Sequence, residues 1–128
     1  MALLLYIYVL PSCAPKDAVK QSEAEVDRFH QRWNQSYFTA VYNDSHTDFR
    51  IAQTPQLTIA QLQHNRNFFG VFKSGTQRSA EIVSKQSDKD IILNYQSVYD
   101  HGTANEVFTF RMTDGKPLLM KYRMTPGK

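Results

Sequence analysis

A chain of 128 residues with 41% hydrophobic and 21% charged residues is sized and composed as one globular domain rather than a disordered segment. Its net charge of +3 comes from basic residues scattered among acids, which argues against the basic stripe of a nucleic-acid groove. The single cysteine rules out an intrachain disulfide.

In chain order, residues 2–10 are apolar apart from the hydroxyls of Tyr6 and Tyr8. The run is too short to cross a bilayer as a helix, which takes about 20 apolar residues, and it has the length of a signal-peptide core. It ends at Leu10-Pro11-Ser12-Cys13. This tetrapeptide resembles a bacterial lipobox, with an aliphatic residue three before the cysteine and a small residue just before it. Pro11 and the lack of Lys or Arg ahead of the apolar run depart from that family pattern. The resemblance implies acylation of Cys13, which would then be the first mature residue. Ala14 after it implies sorting to an outer membrane, facing the periplasm. The reading is therefore a signal peptide over 1–12, a lipidated tether over 13–20 and one domain over 21–128. A buried amino-terminal strand or helix is the alternative.

Val26, Phe29, Trp33, Tyr37, Ala40 and Val41 recur at helical spacing, predicting a helix over 18–43. Ser22 with Glu25 has the pattern of a capping box inside it. Asn43-Asp44-Ser45 ends it, and 44–53 reads as a loop. Thr54-Pro55 opens a second helix over 55–69, closed by Gly70. From residue 76 the period becomes two. Strands are predicted over 78–85, 91–99, 104–112 and 118–124, with Asp114-Gly115 as a hairpin turn. On the third strand Phe108, Phe110 and Met112 should share one face. On the fourth, Leu118, Met120, Tyr122 and Met124 should do so. The fold class is α+β, with two amino-terminal helices packed on a four-stranded antiparallel curved sheet.

The segment Leu62 to Lys73, with Phe68-Phe69-Gly70-Val71, and the block Tyr99 to Met124 are similar to the cystatin-like, nuclear-transport-factor-2-like superfamily. The likeness is closest to its small envelope domains of unknown function. It implies a pocket between a long helix and the sheet, and enzymes of that kind place an Asp, His or Tyr inside. The residues offered to such a pocket are His30, Trp33, Tyr37, Arg66, Tyr95 and Tyr99. His30 as a base would need an orienting carboxylate, and Asp27 and Asn34 flank it at helical spacing. It reads equally as a boundary histidine, and the tyrosines and Trp33 as core residues.

No glycine-rich phosphate loop or nucleophile elbow occurs, and His46, Asp48, His64 and His101 have no metal-ligand spacing. No cofactor and no metal are expected. The expected partners are the membrane, through the lipid, and an envelope protein or small ligand, with no nucleic acid. The function expected is non-catalytic binding, and the alternative is a pocket enzyme or binder of the polyketide-cyclase or isomerase type.

Overall fold

A computed structural model describes residues 15–127. The signal peptide and Cys13 read from the sequence lie outside the described residues. Among those described, four helices precede four strands: α1 (Pro15–Gln35), α2 (Phe38–Asn43), α3 (Thr47–Ala52), α4 (Pro55–Phe69), β1 (Phe72–Lys85), β2 (Asp88–Tyr99), β3 (Gly102–Thr113) and β4 (Lys116–Pro126). The class is α+β, with four helices where two are predicted.

The long helix predicted over 18–43 is two helices. Ser36 takes a left-handed backbone, φ 57°. Its N–H donates to the Trp33 carbonyl at 3.1 Å, and the Tyr37 N–H reaches back to the Arg32 carbonyl at 2.9 Å. These two bonds close α1 as a Schellman cap. The usual glycine signal is absent because serine fills the position. The Ser22–Glu25 capping pattern is no helix start, since α1 begins at Pro15 and the Ser22 hydroxyl donates to the Ala18 carbonyl within it at 2.8 Å. Residues 15–20, read as tether, are already helical.

The predicted loop over 44–53 contains α3. His46 caps it, Nδ1 accepting from the Asp48 N–H at 3.0 Å. Helix α4 follows its sequence signals. Thr54 Oγ1 accepts from the Leu57 N–H at 3.2 Å, and Gly70 ends the helix at φ 82°. A Cβ at Gly70 would stand 2.9 Å from the Asp100 Cβ, so the sharp exit to β1 and the close approach of the β2–β3 turn both require glycine.

The sheet is an antiparallel meander in the order β1-β2-β3-β4. Asp114 and Gly115 both have positive φ, 51° and 78°, as a two-residue hairpin turn demands. Strand β1 starts at Phe72, earlier than predicted. Phe108 and Phe110 share the helix-facing side with Glu106 and Ala104. Strand β4 breaks its predicted alternation. Phe110 lies opposite Leu119 while Thr109 lies opposite Lys121, leaving Met120 as an extra residue in a bulge. Pro117, Leu119, Tyr122 and Met124 therefore face the helices, and Leu118 does not.

The core lies between α1 and the sheet. Val26, Phe29 and Trp33 pack on Ile91, Leu93, Phe108 and Phe110, with Phe38 and Leu62 closing it from α2 and α4. This core is continuous within the described residues. Among the described residues, the opposite face of the sheet carries no helix. Its side chains, such as Ser79, Glu81, Asn94, Gln96, Asn105 and Thr109, are mostly polar, as water contact requires.

Candidate functional site

On β3 the helix-facing positions run Ala104, Glu106, Phe108, Phe110. Period-two patterning puts a carboxylate where the core expects an apolar side chain. Glu106 is 0% exposed. A carboxylate removed from water must be paired and hydrogen-bonded to persist, and the partner comes from α1. His30, 4% exposed, places Nε2 at 2.9 Å from Glu106 Oε1. An ionised carboxylate can only accept, so Nε2 carries the proton. The other carboxylate oxygen, Oε2, accepts from the Tyr122 hydroxyl on β4. The His30 ring lies flat against Phe72, with centroids 3.6 Å apart and planes 2° from parallel, which fixes its orientation. The hydroxyls of Ser97 and Tyr99 on β2 are also fully buried and have no hydrogen-bond partner of good geometry among the described residues. Both sit beside Glu106.

Burial pushes the Glu106 carboxyl up, but the His30 bond and charge, with Ser97 and Tyr122, outweigh it and hold it below the ordinary carboxylate range. Burial and the Glu106 charge hold the hydroxyls of Tyr122 and Tyr99 protonated, far above the ordinary tyrosine value. The cluster is thus an ionised carboxylate enclosed by donors.

Tyr122 links this cluster to an open cleft. A concavity of about 560 Å³ lies between α4 and β4, with Phe29, Leu62, Leu119, Tyr122 and Met124 on its apolar wall and Gln53, Gln61, His64, Asn65 and Arg123 among its polar lining. Its size is within the ordinary range for small-ligand pockets. No aspartate or glutamate lines it. The hydroxyl of Tyr122 points inward to Glu106 while its half-buried ring borders the cleft.

The structure separates the six residues offered by the sequence. His30, Trp33 and Tyr99 meet in the core, with Trp33 and Tyr99 rings 5.2 Å apart. Trp33 Nε1 donates to the Gly70 carbonyl at 2.9 Å. Arg66 stands outside this group and finishes α1, its Nε donating to the Trp33 carbonyl at 3.2 Å and its Nη2 to that of Asn34 at 3.4 Å. Tyr95 is half-buried, donates to Gln77 Oε1 at 3.1 Å, and has its hydroxyl pushed up to about 12 by burial and by the charges of Glu23, Asp27 and Glu106. Tyr37 is 59% exposed because the break at Ser36 turns it off the apolar stripe. None of the six lines the cleft.

His30 is no boundary histidine, and its partner is neither flanking residue. Asp27 is exposed, and the Asn34 side chain is held by the Phe72 backbone, accepting from its N–H at 2.8 Å. Sequence reasoning missed Glu106, Ser97 and Tyr122. The signal for Glu106 was present as a charge at an inward position between Ala104 and Phe108. Among the described residues no group of three or more His, Cys, Asp or Glu side chains could hold a metal ion, and no helix is long and apolar enough to cross a membrane. The chain matches no protein-family model and no curated protein.

Proposed function

We propose that this chain is an exported, lipid-anchored binding protein of the bacterial envelope, whose domain takes a small, largely apolar ligand in the cleft between α4 and β4. The observation that carries the binding reading is the cleft itself, open to solvent, walled by Leu62, Leu119 and Met124 and floored by Phe29 and Tyr122. The buried Glu106–His30 pair is enclosed behind it, and His64, which lines the cleft, has no carboxylate among the lining residues to orient it. Glu106 is without solvent contact and His30 nearly so, and neither lines the cleft. That enclosure supports binding over catalysis, because a general base must come within hydrogen-bond reach of its substrate. The long α1 laid across a four-stranded meander is in keeping with a cystatin-like, nuclear-transport-factor-2-like domain. The space between α1 and the sheet is filled by Phe29, Trp33 and Phe108, which favours the α4–β4 cleft as the ligand's place.

The cleft is tested with 1-N-phenylnaphthylamine, a neutral apolar dye. Ala60 is exposed on α4 and lines the cleft, so Ala60→Trp should fill it without entering the core. Dye fluorescence should rise on binding to the natural protein and fail to rise with the variant, at equal thermal stability. Undiminished dye binding by Ala60→Trp would sink the reading.

The anchor rests on Leu10, Ser12 and Cys13. Two or three acyl chains hold firmly where one holds marginally, at about 0.8 kcal/mol per buried methylene. Metabolic labelling with a clickable fatty acid should mark the natural chain and leave Cys13→Ala unmarked and released from membranes. Labelling that survives the substitution would remove the anchor.

A further inference from the structure

The cleft has a polarity that narrows what it accepts. Arg123 lines it from the free edge of β4: its pairing with Val107 starts its side chain on the helix-free face, it is exposed, and it has no ion-pair partner among the described residues. His64 lines it as well. With no acidic side chain in the lining, the only formal charge there at neutral pH is positive.

The backbone adds to this. The Gly127 N–H donates to the Thr103 carbonyl across the β3–β4 pair at 2.8 Å. Counting back along the register in steps of two, Thr125, Arg123 and Lys121 hold the hydrogen-bonded positions toward β3. Tyr122 and Met124 therefore turn their N–H and carbonyl groups outward from the sheet. Leu119 does the same across the bulge, and its carbonyl is taken by the His46 N–H at 2.8 Å. No backbone partner takes the outward N–H groups of Tyr122 and Met124 among the described residues. Both residues border the cleft. Amide donors beside an uncompensated guanidinium suit an anion, and the wall of Leu62, Leu119 and Met124 suits a hydrocarbon body.

We propose that the ligand of this cleft is a single-chain anionic amphiphile, a long-chain carboxylate whose head meets Arg123 and the outer edge of β4 while its chain lies along the α4–β4 wall. The proposal rests on the cleft being the binding site. An added peptide strand is the competing occupant of a free edge, but the Met120–Lys121 bulge and the exposed Lys121 and Arg123 are devices that discourage strand addition.

The test uses residues 15–128, which contain the continuous core described above. Dodecanoate, dodecyltrimethylammonium and dodecanol are titrated below their micellar concentrations by calorimetry, against the natural sequence, Arg123→Gln and, as a distant charge control, Lys85→Gln. Dodecanoate should bind at least about tenfold more tightly than the cation. Arg123→Gln should erase that preference, Lys85→Gln should keep it, and Ala60→Trp should abolish binding of all three. Equal affinity for the three probes overturns the anionic head and leaves the apolar cleft standing. Binding to none of them, with the neutral dye also excluded, overturns both. A preference lost equally in Lys85→Gln overturns it as diffuse surface charge.

Discussion

Replacing Glu106 with alanine is expected to destabilise the domain by about 3–5 kcal/mol, read as a fall in urea midpoint and a melting temperature lower by more than about 10 °C. Four groups lose their counterpart at once. His30 loses the acceptor for Nε2, Tyr122 loses the acceptor for its hydroxyl, and the buried hydroxyls of Ser97 and Tyr99 lose the charge they surround. Phe29, Phe72 and Phe108 pack around the His30 ring and offer it no replacement acceptor. The pH dependence gives a second readout. Folding holds Glu106 below its ordinary value of 4.5. Its ionised form therefore contributes stability that is fully present above that value and is lost as pH falls through the lower folded value. In Glu106→Gln this acid-side slope should flatten, with the two stabilities converging toward low pH. Parallel profiles for the two proteins, or a loss below about 1 kcal/mol in Glu106→Ala, would mean that the cluster is not an ionised, paired network.

Trp33→Ala is expected to cost a similar amount, about 3–5 kcal/mol. Trp33 has no solvent exposure and packs edge-on to Phe38 at 6.0 Å and against Tyr99 at 5.2 Å. Truncation leaves a cavity where α1, α2 and β2 meet. It also removes the donor to the buried Gly70 carbonyl, at the bend where α4 gives way to the sheet. Trp33→Phe separates the two effects. It keeps most of the ring volume and loses only the N–H, so its expected cost is about 1–3 kcal/mol. Chemical denaturation of both variants checks the ranking. Equal losses would assign the whole effect to the hydrogen bond, and a near-neutral Trp33→Ala would mean that this corner of the core is loosely packed.

The parts of the fold that could be read in the chain are those where one local signal has one structural answer. Thr54-Pro55 and Gly70 bracket α4, Asp114-Gly115 makes its turn, and alternation sets β3 correctly. Other features needed information that is not local. Ser36 supports a left-handed cap that sequence patterning associates with glycine, so α1 and α2 read as one helix. His46 starts α3 with an imidazole nitrogen in a role usually taken by a side-chain oxygen. The bulge at Met120 is invisible to a period-two reading, because both alternations of β4 supply apolar residues to one face.

The candidate site was less visible for a related reason. His30 drew notice through its place beside the helical stripe, but its partner lies on a strand remote in sequence. Glu106 was recoverable as a charge at an inward position. Ser97 and Tyr122 were not, since a buried hydroxyl and a half-buried tyrosine fit an ordinary core equally well. The cleft is assembled from all four helices and β4, and no segment announces it alone.

The extra residue in β4 limits how this strand can vary in length. Pro117 and Leu119 precede it, and Tyr122 and Met124 follow it, all turned toward the helices. Loss of Met120 alone would restore strict alternation, with Pro117, Leu119, Tyr122 and Met124 still turned toward the helices. A residue lost on either side of the bulge has no such slack. Removing Arg123, for example, would put Tyr122 and Met124 on opposite faces and separate the cleft floor from the carboxylate behind it.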